Sequence, residues 1–262
     1  MYTSKEKIRN HIRKQYSKAA NKESQSCCGS GCGCNGTAVD ISAVSKKLGY
    51  TEKDFFDAPL DSNMALGCGN PVAIASLKEG ETVLDLGSGG GFDCFLARKQ
   101  VGATGFVIGV DMTPDMITLA RKNADKSEYT NMEFRLGEIE HLPVADNSVD
   151  VIISNCVINL SLDKAQVFKD AYRVLKKGGR LSISDVVAIA EIPECVQRNL
   201  DMVSACIGGA EHVDSIKTLL QGAGFKKIKL TPKDNSADIV KEWAPESKIE
   251  NYVASYIIEA AK

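Results

Sequence analysis

From residue 81 onward, short apolar stretches alternate along the chain with amphipathic ones. Five stretches have the length and composition of buried strands, at residues 82–86, 106–111, 132–136, 149–154 and 180–187. Three stretches between them have helical spacing of apolar side chains, at residues 92–100, 114–124 and 164–175, and we expect Gly178 and Gly179 to end the last one. Strands that alternate with helices predict an α/β fold with a mainly parallel, doubly wound sheet covered on both faces.

The segments on either side of this alternation have a weaker pattern. Helices are predicted at residues 3–20, 40–57 and 216–222 and around Cys206, strands at residues 227–231 and 251–258, and a glycine-rich turn at residues 64–71. We therefore expect three regions. These are an N-terminal helical and cysteine-rich arm (residues 1–75), a core (residues 76–190) and a C-terminal α+β extension (residues 191–262).

Composition narrows the range of partners. The 262 residues carry a net charge of −2, with 44% apolar and 25% charged residues, as in an average globular protein. A balanced charge gives no general attraction to nucleic acid or to an acidic membrane surface. No apolar run approaches the roughly 20 residues of a membrane-spanning helix, and the basic N-terminus lacks the apolar centre of a secretory signal. We expect a cytoplasmic protein with no nucleic-acid or membrane partner.

A glycine-rich turn joins the first predicted strand to the first predicted helix. Residues 83–91 read Val-Leu-Asp-Leu-Gly-Ser-Gly-Gly-Gly, at the sheet edge where open α/β sheets bind ligands. A dinucleotide fingerprint requires a third glycine where Phe92 stands, and Asp85 would repel a pyrophosphate. A cationic ligand suits this turn better. Asp111, at the end of the second strand, can accept hydrogen bonds from ribose hydroxyls.

This combination resembles the class I S-adenosylmethionine-dependent methyltransferases over residues 81–187, and it implies their Rossmann-like fold. The resemblance implies a cofactor site in which the methionine part is held by Asp85, Gly87, Gly89 and Gly91, the ribose by Asp111, and the adenine by Met112, Met116, Glu138 and Ile139, with Asn155 in the same site. Glu138 would accept from the exocyclic amine, and the Ile139 N–H would donate to the ring. A doubly wound fold that binds another small ligand, or none, is the alternative.

The cysteines add a second kind of chemistry. There are nine, an odd number, and in a reducing compartment such a number indicates metal, metalloid or redox chemistry. Cys156 follows the fourth strand at the ligand-binding edge, where a thiolate favours Zn(II), Cu(I) or a trivalent metalloid. A cluster of four lies among glycines, namely Cys27, Cys28, Cys32 and Cys34, and it suits a swinging arm better than a zinc site. We expect Cys94 to pack in the core and leave Cys195 unassigned.

Four segments together resemble the arsenite methyltransferases, and with the cysteine-rich arm the resemblance covers nearly the whole chain. They are Ser-Asn-Cys-Val-Ile-Asn-Leu at residues 154–160 followed by Asp163 and Lys164, Leu-Gly-Cys-Gly-Asn-Pro at 66–71, Gly-Val-Asp-Met-Thr at 109–113, and Cys-Ile-Gly-Gly-Ala at 206–210. The resemblance implies that Cys68, Cys156 and Cys206 bind trivalent arsenic and that one arm thiol, Cys32 in our assignment, joins a disulfide relay. It also implies a role in arsenic detoxification, a thioredoxin- or glutathione-type reductant and, in our expectation, a monomer.

Thiolate-bound arsenic keeps a lone pair, which is itself a nucleophile, so this reaction needs no general base. Two alternatives remain open. A quinone-type carbon methyltransferase shares the glycine turn and Leu142-Pro143 but needs no group of three cysteines, and a thiol-based metalloid sensor would bind without turnover. The arsenic hypothesis requires residues 193–215 to fold over the sheet edge, so that Cys206 lies within about 10 Å of Cys156, since metal–thiolate bonds are short.

Overall fold

The computed structural model describes residues 5–21, 40–127, 129–243 and 248–262, which form a seven-stranded sheet of order β3-β2-β1-β4-β5-β7-β6. The strands are β1 (Thr82–Leu86), β2 (Phe106–Asp111), β3 (Met132–Leu136), β4 (Val149–Asn155), β5 (Leu175–Ala188), β6 (Lys226–Pro232) and β7 (Val253–Ala261). The first five strands pair in parallel, and β7 runs antiparallel to both of its neighbours. The predicted α/β class with a mainly parallel sheet is confirmed.

Helices cover both faces of this sheet. They are α1 (Lys5–Ala20), α2 (Ile41–Lys47), α3 (Glu52–Asp57), α4 (Pro71–Ile74), α5 (Phe92–Val101), α6 (Pro114–Lys126), α7 (Lys164–Val174), α8 (Glu194–Gln197), α9 (Leu200–Ser204), α10 (Val213–Ala223) and α11 (Ser236–Trp243). Leu84 packs with Phe168 and Leu220 of α7 and α10 on one face, while Val83 packs with Phe95 of α5 on the other. Consecutive residues of β1 therefore enter two separate cores, as expected for a doubly wound sheet.

The start of β5 differs from the sequence prediction. Helix α7 ends at Val174, and Leu175 already has the extended backbone of β5, so Gly178 and Gly179 lie inside the strand and do not end a helix. The reason is the C-terminus, because the Lys262 N–H donates to the Gly179 carbonyl at 2.9 Å and the Gly178 N–H donates to the Lys262 carbonyl at 3.2 Å. A partner strand that follows far later in sequence thus extends β5 toward α7.

The C-terminal region joins the same sheet as the core. The two predicted C-terminal strands are confirmed as β6 and β7, and α11 was not predicted. Cys206 lies beyond the end of α9 with a positive φ of 63°, so the prediction that a helix carries it was wrong. The boundaries proposed after residues 75 and 190 stay predictions. Among the described helices, none is long and apolar enough to span a bilayer.

Candidate functional site

The glycine turn after β1 has a backbone that only glycine adopts easily. Gly87, Gly89 and Gly91 have φ values of +72°, +51° and +95°. A Cβ on Gly87 would also lie 2.5 Å from the Val157 Cγ2, so any side chain there collides with the loop after β4. The turn therefore brings bare backbone to the carboxyl edge of the sheet.

One pocket opens at this edge. Most of the predicted cofactor residues line it together, namely Asp85, Gly87, Gly89, Asp111, Met112, Met116, Glu138, Ile139 and Asn155, and Cys156 lines it as well. Gly91 does not line the pocket, since a Cβ there would face the ring of Phe134 at 2.9 Å. Its contribution in the structure is the left-handed backbone at the N-terminus of α5.

The Asp111 carboxylate is fixed at the pocket wall by two backbone donors. The Gly89 N–H donates to its Oδ2 at 3.0 Å, and the Thr113 N–H donates to its Oδ1 at 2.8 Å. Burial raises the pKa of Asp111, and the two N–H groups oppose that rise. Each oxygen keeps a second lone pair, which can accept a hydrogen bond from a ligand hydroxyl.

Two more buried acids make the pocket suitable for a cation. The Tyr50 hydroxyl donates to Asp93 at 2.7 Å, and the Cys94 thiol donates to Asp85 at 3.3 Å. Burial raises the pKa of Asp93 to about 6, and burial together with the nearby Asp93 raises the pKa of Asp85 well above its usual range. A positively charged ligand relieves the cost of ionising these acids. The residues present therefore fit a ligand that carries a sulfonium and an ammonium group.

Helix α1 covers the end of the pocket where adenine binding was predicted. Arg13 of this helix donates to Glu138 at 2.6 Å, and Arg9 lies 3.8 Å from the same carboxylate. Glu138 was predicted to accept from an adenine amine, and neither arginine was predicted to contact it. Glu138 is thus already bound by Arg13, and an adenine amine would either share the Glu138 carboxylate with Arg13 or displace Arg13 from it.

Three cysteines from distant parts of the chain meet beside this pocket. Cys68 and Cys156 are joined by a disulfide bond, with their Cα atoms 5.9 Å apart. The Cys206 thiol donates to the Cys156 carbonyl at 2.8 Å, so the predicted proximity of these two residues is confirmed. All three are buried, and burial raises the pKa of the Cys206 thiol. Cys27, Cys28, Cys32 and Cys34 lie outside the described residues.

Asp185 is a buried acid next to the thiols that the sequence analysis missed. A carboxylate oxygen lies within 4.8 Å of the sulfurs of Cys68 and Cys156. It accepts hydrogen bonds from the backbone N–H groups of Ile158 at 2.9 Å and Val186 at 2.7 Å. Burial raises its pKa to about 7. An acid near the carboxyl end of the fifth predicted strand, at the ligand-binding edge of the sheet, was the available signal for a functional group.

The two remaining described cysteines differ from this cluster. Cys94 is buried in the core, as predicted, and its thiol donates to Asp85. Cys195 is exposed on α8, away from the buried sulfurs. Cys195 therefore offers a thiol whose replacement should leave the pocket unchanged.

Comparison with known proteins agrees with this arrangement. Residues 77–224 match the model of a methyltransferase domain family. The chain is 48% identical to the arsenite methyltransferase of Halobacterium salinarum, over 98% of this chain and 67% of that protein. It is 40% identical to the human arsenite methyltransferase, over 61% of this chain and 44% of that protein. The chain thus spans less than half of the human relative.

A solved structure extends the likeness to the fold. The crystal structure of an arsenic(III) S-adenosylmethionine methyltransferase from Chlamydomonas reinhardtii matches with a TM-score of 0.60 and 33% identity, over 84% of this chain and 72% of that one. A Haemonchus contortus phosphoethanolamine N-methyltransferase solved with S-adenosylmethionine matches with a TM-score of 0.63 at 18% identity, which shows the common fold alone. The chain has the class I methyltransferase fold and belongs to the arsenite methyltransferase family.

Proposed function

We propose that this protein transfers a methyl group from S-adenosylmethionine to trivalent arsenic bound by the thiolates of Cys68, Cys156 and Cys206. The observation that carries the proposal is the buried pair of Cys68 and Cys156 beside the acid-lined pocket, with the Cys206 thiol 2.8 Å from the Cys156 carbonyl. The likeness to the relatives named arsenite methyltransferase gives independent support.

The cofactor supplies a methyl group on a positively charged sulfur. The lone pair of arsenic held by the three thiolates would attack that methyl carbon. An As–C bond would form, the sulfonium S–C bond would break, and its electron pair would stay on the thioether. The protein contributes orientation, because the donor and acceptor sites share one wall at Cys156. No proton has to be removed, and no histidine is among the described residues that line the pocket.

Methyl transfer formally oxidises arsenic by two electrons. Two thiols supply two electrons when they form a disulfide, and Cys68 and Cys156 are close enough to do so. A thiol reductant of the thioredoxin or glutathione type would then return both sulfurs to thiols. In this proposal Cys32 is the arm thiol that exchanges with this pair.

Within the pocket, the proposal retains the assignments made from the sequence. Asp85 and the backbone of Gly87 and Gly89 hold the methionine part, and Asp111 holds the ribose. Met112, Met116, Glu138 and Ile139 surround the adenine. Asn155 acts at the boundary with the arsenic site, because it donates to Tyr50 at 3.0 Å and accepts from the Cys68 N–H at 2.9 Å.

The test is a mass-spectrometric assay of the purified protein with arsenite, S-adenosylmethionine and a dithiol. We expect methylated arsenic and S-adenosylhomocysteine to form together, and only when arsenite is present. A thiol-based sensor would bind arsenite without consuming the cofactor, and a quinone-type enzyme would consume it only with a quinone. Cys156→Ser should abolish the product, whereas Cys195→Ser, at an exposed thiol, should not. Full activity of Cys156→Ser would end the arsenic proposal.

A further inference from the structure

The peptide around Cys68 is held from two opposite sides. On the side of the cofactor pocket, the Asn155 Oδ1 accepts from the N–H groups of Cys68 at 2.9 Å and Gly69 at 3.3 Å, and the Asn155 Nδ2 donates to the Gly69 carbonyl at 2.8 Å. These contacts fix the peptide relative to the end of β4. They leave the carbonyl of Cys68 facing the other way.

That carbonyl is bound by two residues of the C-terminal region. The Lys233 Nζ donates to it at 3.2 Å, and the Ser255 Oγ donates to it at 3.0 Å. The two donors are neighbours across β6 and β7, since the Lys233 N–H donates to the Ser255 carbonyl at 2.9 Å. Ser255 is fully buried, so its hydroxyl is committed to this contact.

Lys233 donates to backbone carbonyls inside the protein and does not behave as a solvated surface charge. We call this set of contacts the brace. Lys233 is half-buried, burial alone lowers its pKa, and it forms no ion pair with a carboxylate of the described residues. Its second acceptor is the Leu48 carbonyl at 3.3 Å, next to the end of α2. One ammonium group therefore joins the C-terminal hairpin to two turns of the N-terminal region.

The fit leaves little space for the turn to move. A Cβ on Gly69 would lie 2.8 Å from the Lys233 Nζ and would overlap the Ser184 hydroxyl. Cys68 itself is fully buried. Packed interiors move between discrete arrangements more readily than they deform. Loss of the hydrogen bonds from Lys233 and Ser255 should therefore let the turn around Cys68 adopt a different conformation.

We propose that Lys233 and Ser255 are positioning residues for Cys68, holding its carbonyl so that its sulfur faces Cys156 and the arsenic. This inference rests on the proposed function. It assigns part of the arsenic site to a hairpin that lies beyond residue 224, where the match to the methyltransferase domain family ends. The hairpin then has a role in substrate binding in addition to its role in the sheet.

The experiment compares Lys233→Met and Ser255→Ala with Lys229→Met, an exposed lysine in strand β6, which Lys233 directly follows. Arsenite requires all three thiolates, whereas a monomethylated arsenical requires two. We therefore expect Lys233→Met and Ser255→Ala to lower kcat/KM for arsenite by roughly 5- to 10-fold relative to the monomethylated substrate, the effect of one lost hydrogen bond. Lys229→Met should keep the wild-type ratio, and the affinity for S-adenosylmethionine should be unchanged in all three. General destabilisation would lower both rates together.

A second measurement needs no arsenic. The proteins are equilibrated in dithiothreitol redox buffers, alkylated and analysed by mass spectrometry for the Cys68–Cys156 disulfide. Release of Cys68 lowers its effective concentration at Cys156, so we expect the equilibrium to shift toward the dithiol by a similar factor in Lys233→Met and Ser255→Ala only.

Unchanged ratios together with an unchanged disulfide equilibrium would overturn the inference. If the wild-type protein does not methylate arsenite, the proposed function fails, and the disulfide measurement still decides whether the brace exists. Should Lys233→Met not fold, Ser255→Ala tests the same carbonyl from the other strand.

Discussion

Asp111 owes its place at the pocket wall to two backbone N–H groups, one at each carboxylate oxygen. Asp111→Ala should weaken the binding of S-adenosylmethionine by roughly 1–3 kcal/mol, the scale of lost hydrogen bonds to a charged group. Arsenite binding should change little, because Asp111 contacts none of the three thiols. Titration calorimetry measures both, and an unchanged cofactor affinity would remove Asp111 from the site.

Asp93 should make the affinity for S-adenosylmethionine depend on pH. Its pKa is about 6, raised by burial, so the carboxyl group becomes protonated as the pH falls through 6. A neutral acid attracts a cation less, and we expect the affinity for S-adenosylmethionine to fall between pH 7.5 and pH 5.5. Asp93→Asn should have weaker affinity at pH 7.5 and a flatter pH profile. A wild-type profile equal to that of the variant would contradict this role.

The raised pKa of Asp93 also affects the stability of the ligand-free protein, which should fall, and not rise, as the pH increases. The folded state binds the Asp93 proton more tightly than the unfolded chain, whose usual value is 3.8. The stabilisation is therefore fully present below about pH 4 and is lost as the pH rises through 6. Urea unfolding measures this effect. The free energy of unfolding of the wild-type protein relative to Asp93→Asn should be larger at pH 4.5 than at pH 7.

Replacement of single cysteines should affect the first and the second methylation differently. Cys206→Ser should abolish methylation of both arsenite and a monomethylated arsenical, because the latter has two bonds left for thiolates and we assign these to Cys156 and Cys206. Cys68→Ser should reduce the first methylation more than the second. The two substrates are compared by mass spectrometry under the same reductant. Equal loss with both substrates in every variant would mean that the three cysteines act as one indivisible site.

Among the local elements, the glycine turn after β1 should tolerate little change. Gly87 and Gly178 both have a positive φ, at +72° and +80°, but only Gly87 faces a neighbouring side chain, at 2.5 Å, whereas nothing lies within 4 Å of a Cβ on Gly178. Each Gly→Ala change should cost roughly 1–2 kcal/mol of backbone strain. Only Gly87→Ala should also displace Val157 and weaken cofactor binding more than tenfold, as measured by calorimetry. Equal cofactor affinity in the two variants would show that the collision is relieved at no cost.

Elements with a local signal were predictable from the sequence. β1 and β2 begin and end at the predicted residues because they are buried and mostly apolar. β3 also has the predicted bounds, although it lies at the sheet edge and alternates between apolar and charged residues. The extension of β5 through Gly178 was not predictable, since it depends on Lys262. Helix α11 was also missed, because its apolar residues Ile239 and Val240 gave no long repeat.

The whole molecule depends on its last strand. β7 pairs with β5 from Arg180↔Ala261 to Ala188↔Val253 and holds β6 on its other edge. A chain that ends at Gly224 would expose the apolar face of α10 and leave β5 as an open edge. We expect this truncated protein to lose cooperative thermal unfolding, measured by circular dichroism, and to be cut rapidly by protease. A cooperative transition near that of the full chain would show that the core folds alone.

The same dependence limits what the sequence reveals about the site. Asp85, Gly87 and Asp111 were predictable from the sequence, because each lies at or next to the end of a predicted strand. Asp185 stood out as an acid in the fifth strand, but its approach to Cys68 was not predictable. Lys233 was not predictable, since its approach to Cys68 is set by the register of β6 and β7. No local pattern records that register.

The bond between Cys68 and Cys156 closes a covalent ring with a sequence separation of 88. The ring contains β1 to β4 and the whole glycine turn, so oxidation ties the cofactor half of the protein into a loop. Closing a loop of this length restricts the unfolded chain by about 4–5 kcal/mol in the chain-entropy account. Each turnover that forms the bond would thus leave the protein more stable against unfolding, and each reduction would make it less stable. If the proposed relay operates, lack of reductant would therefore leave the protein in its oxidised form, which resists unfolding more strongly.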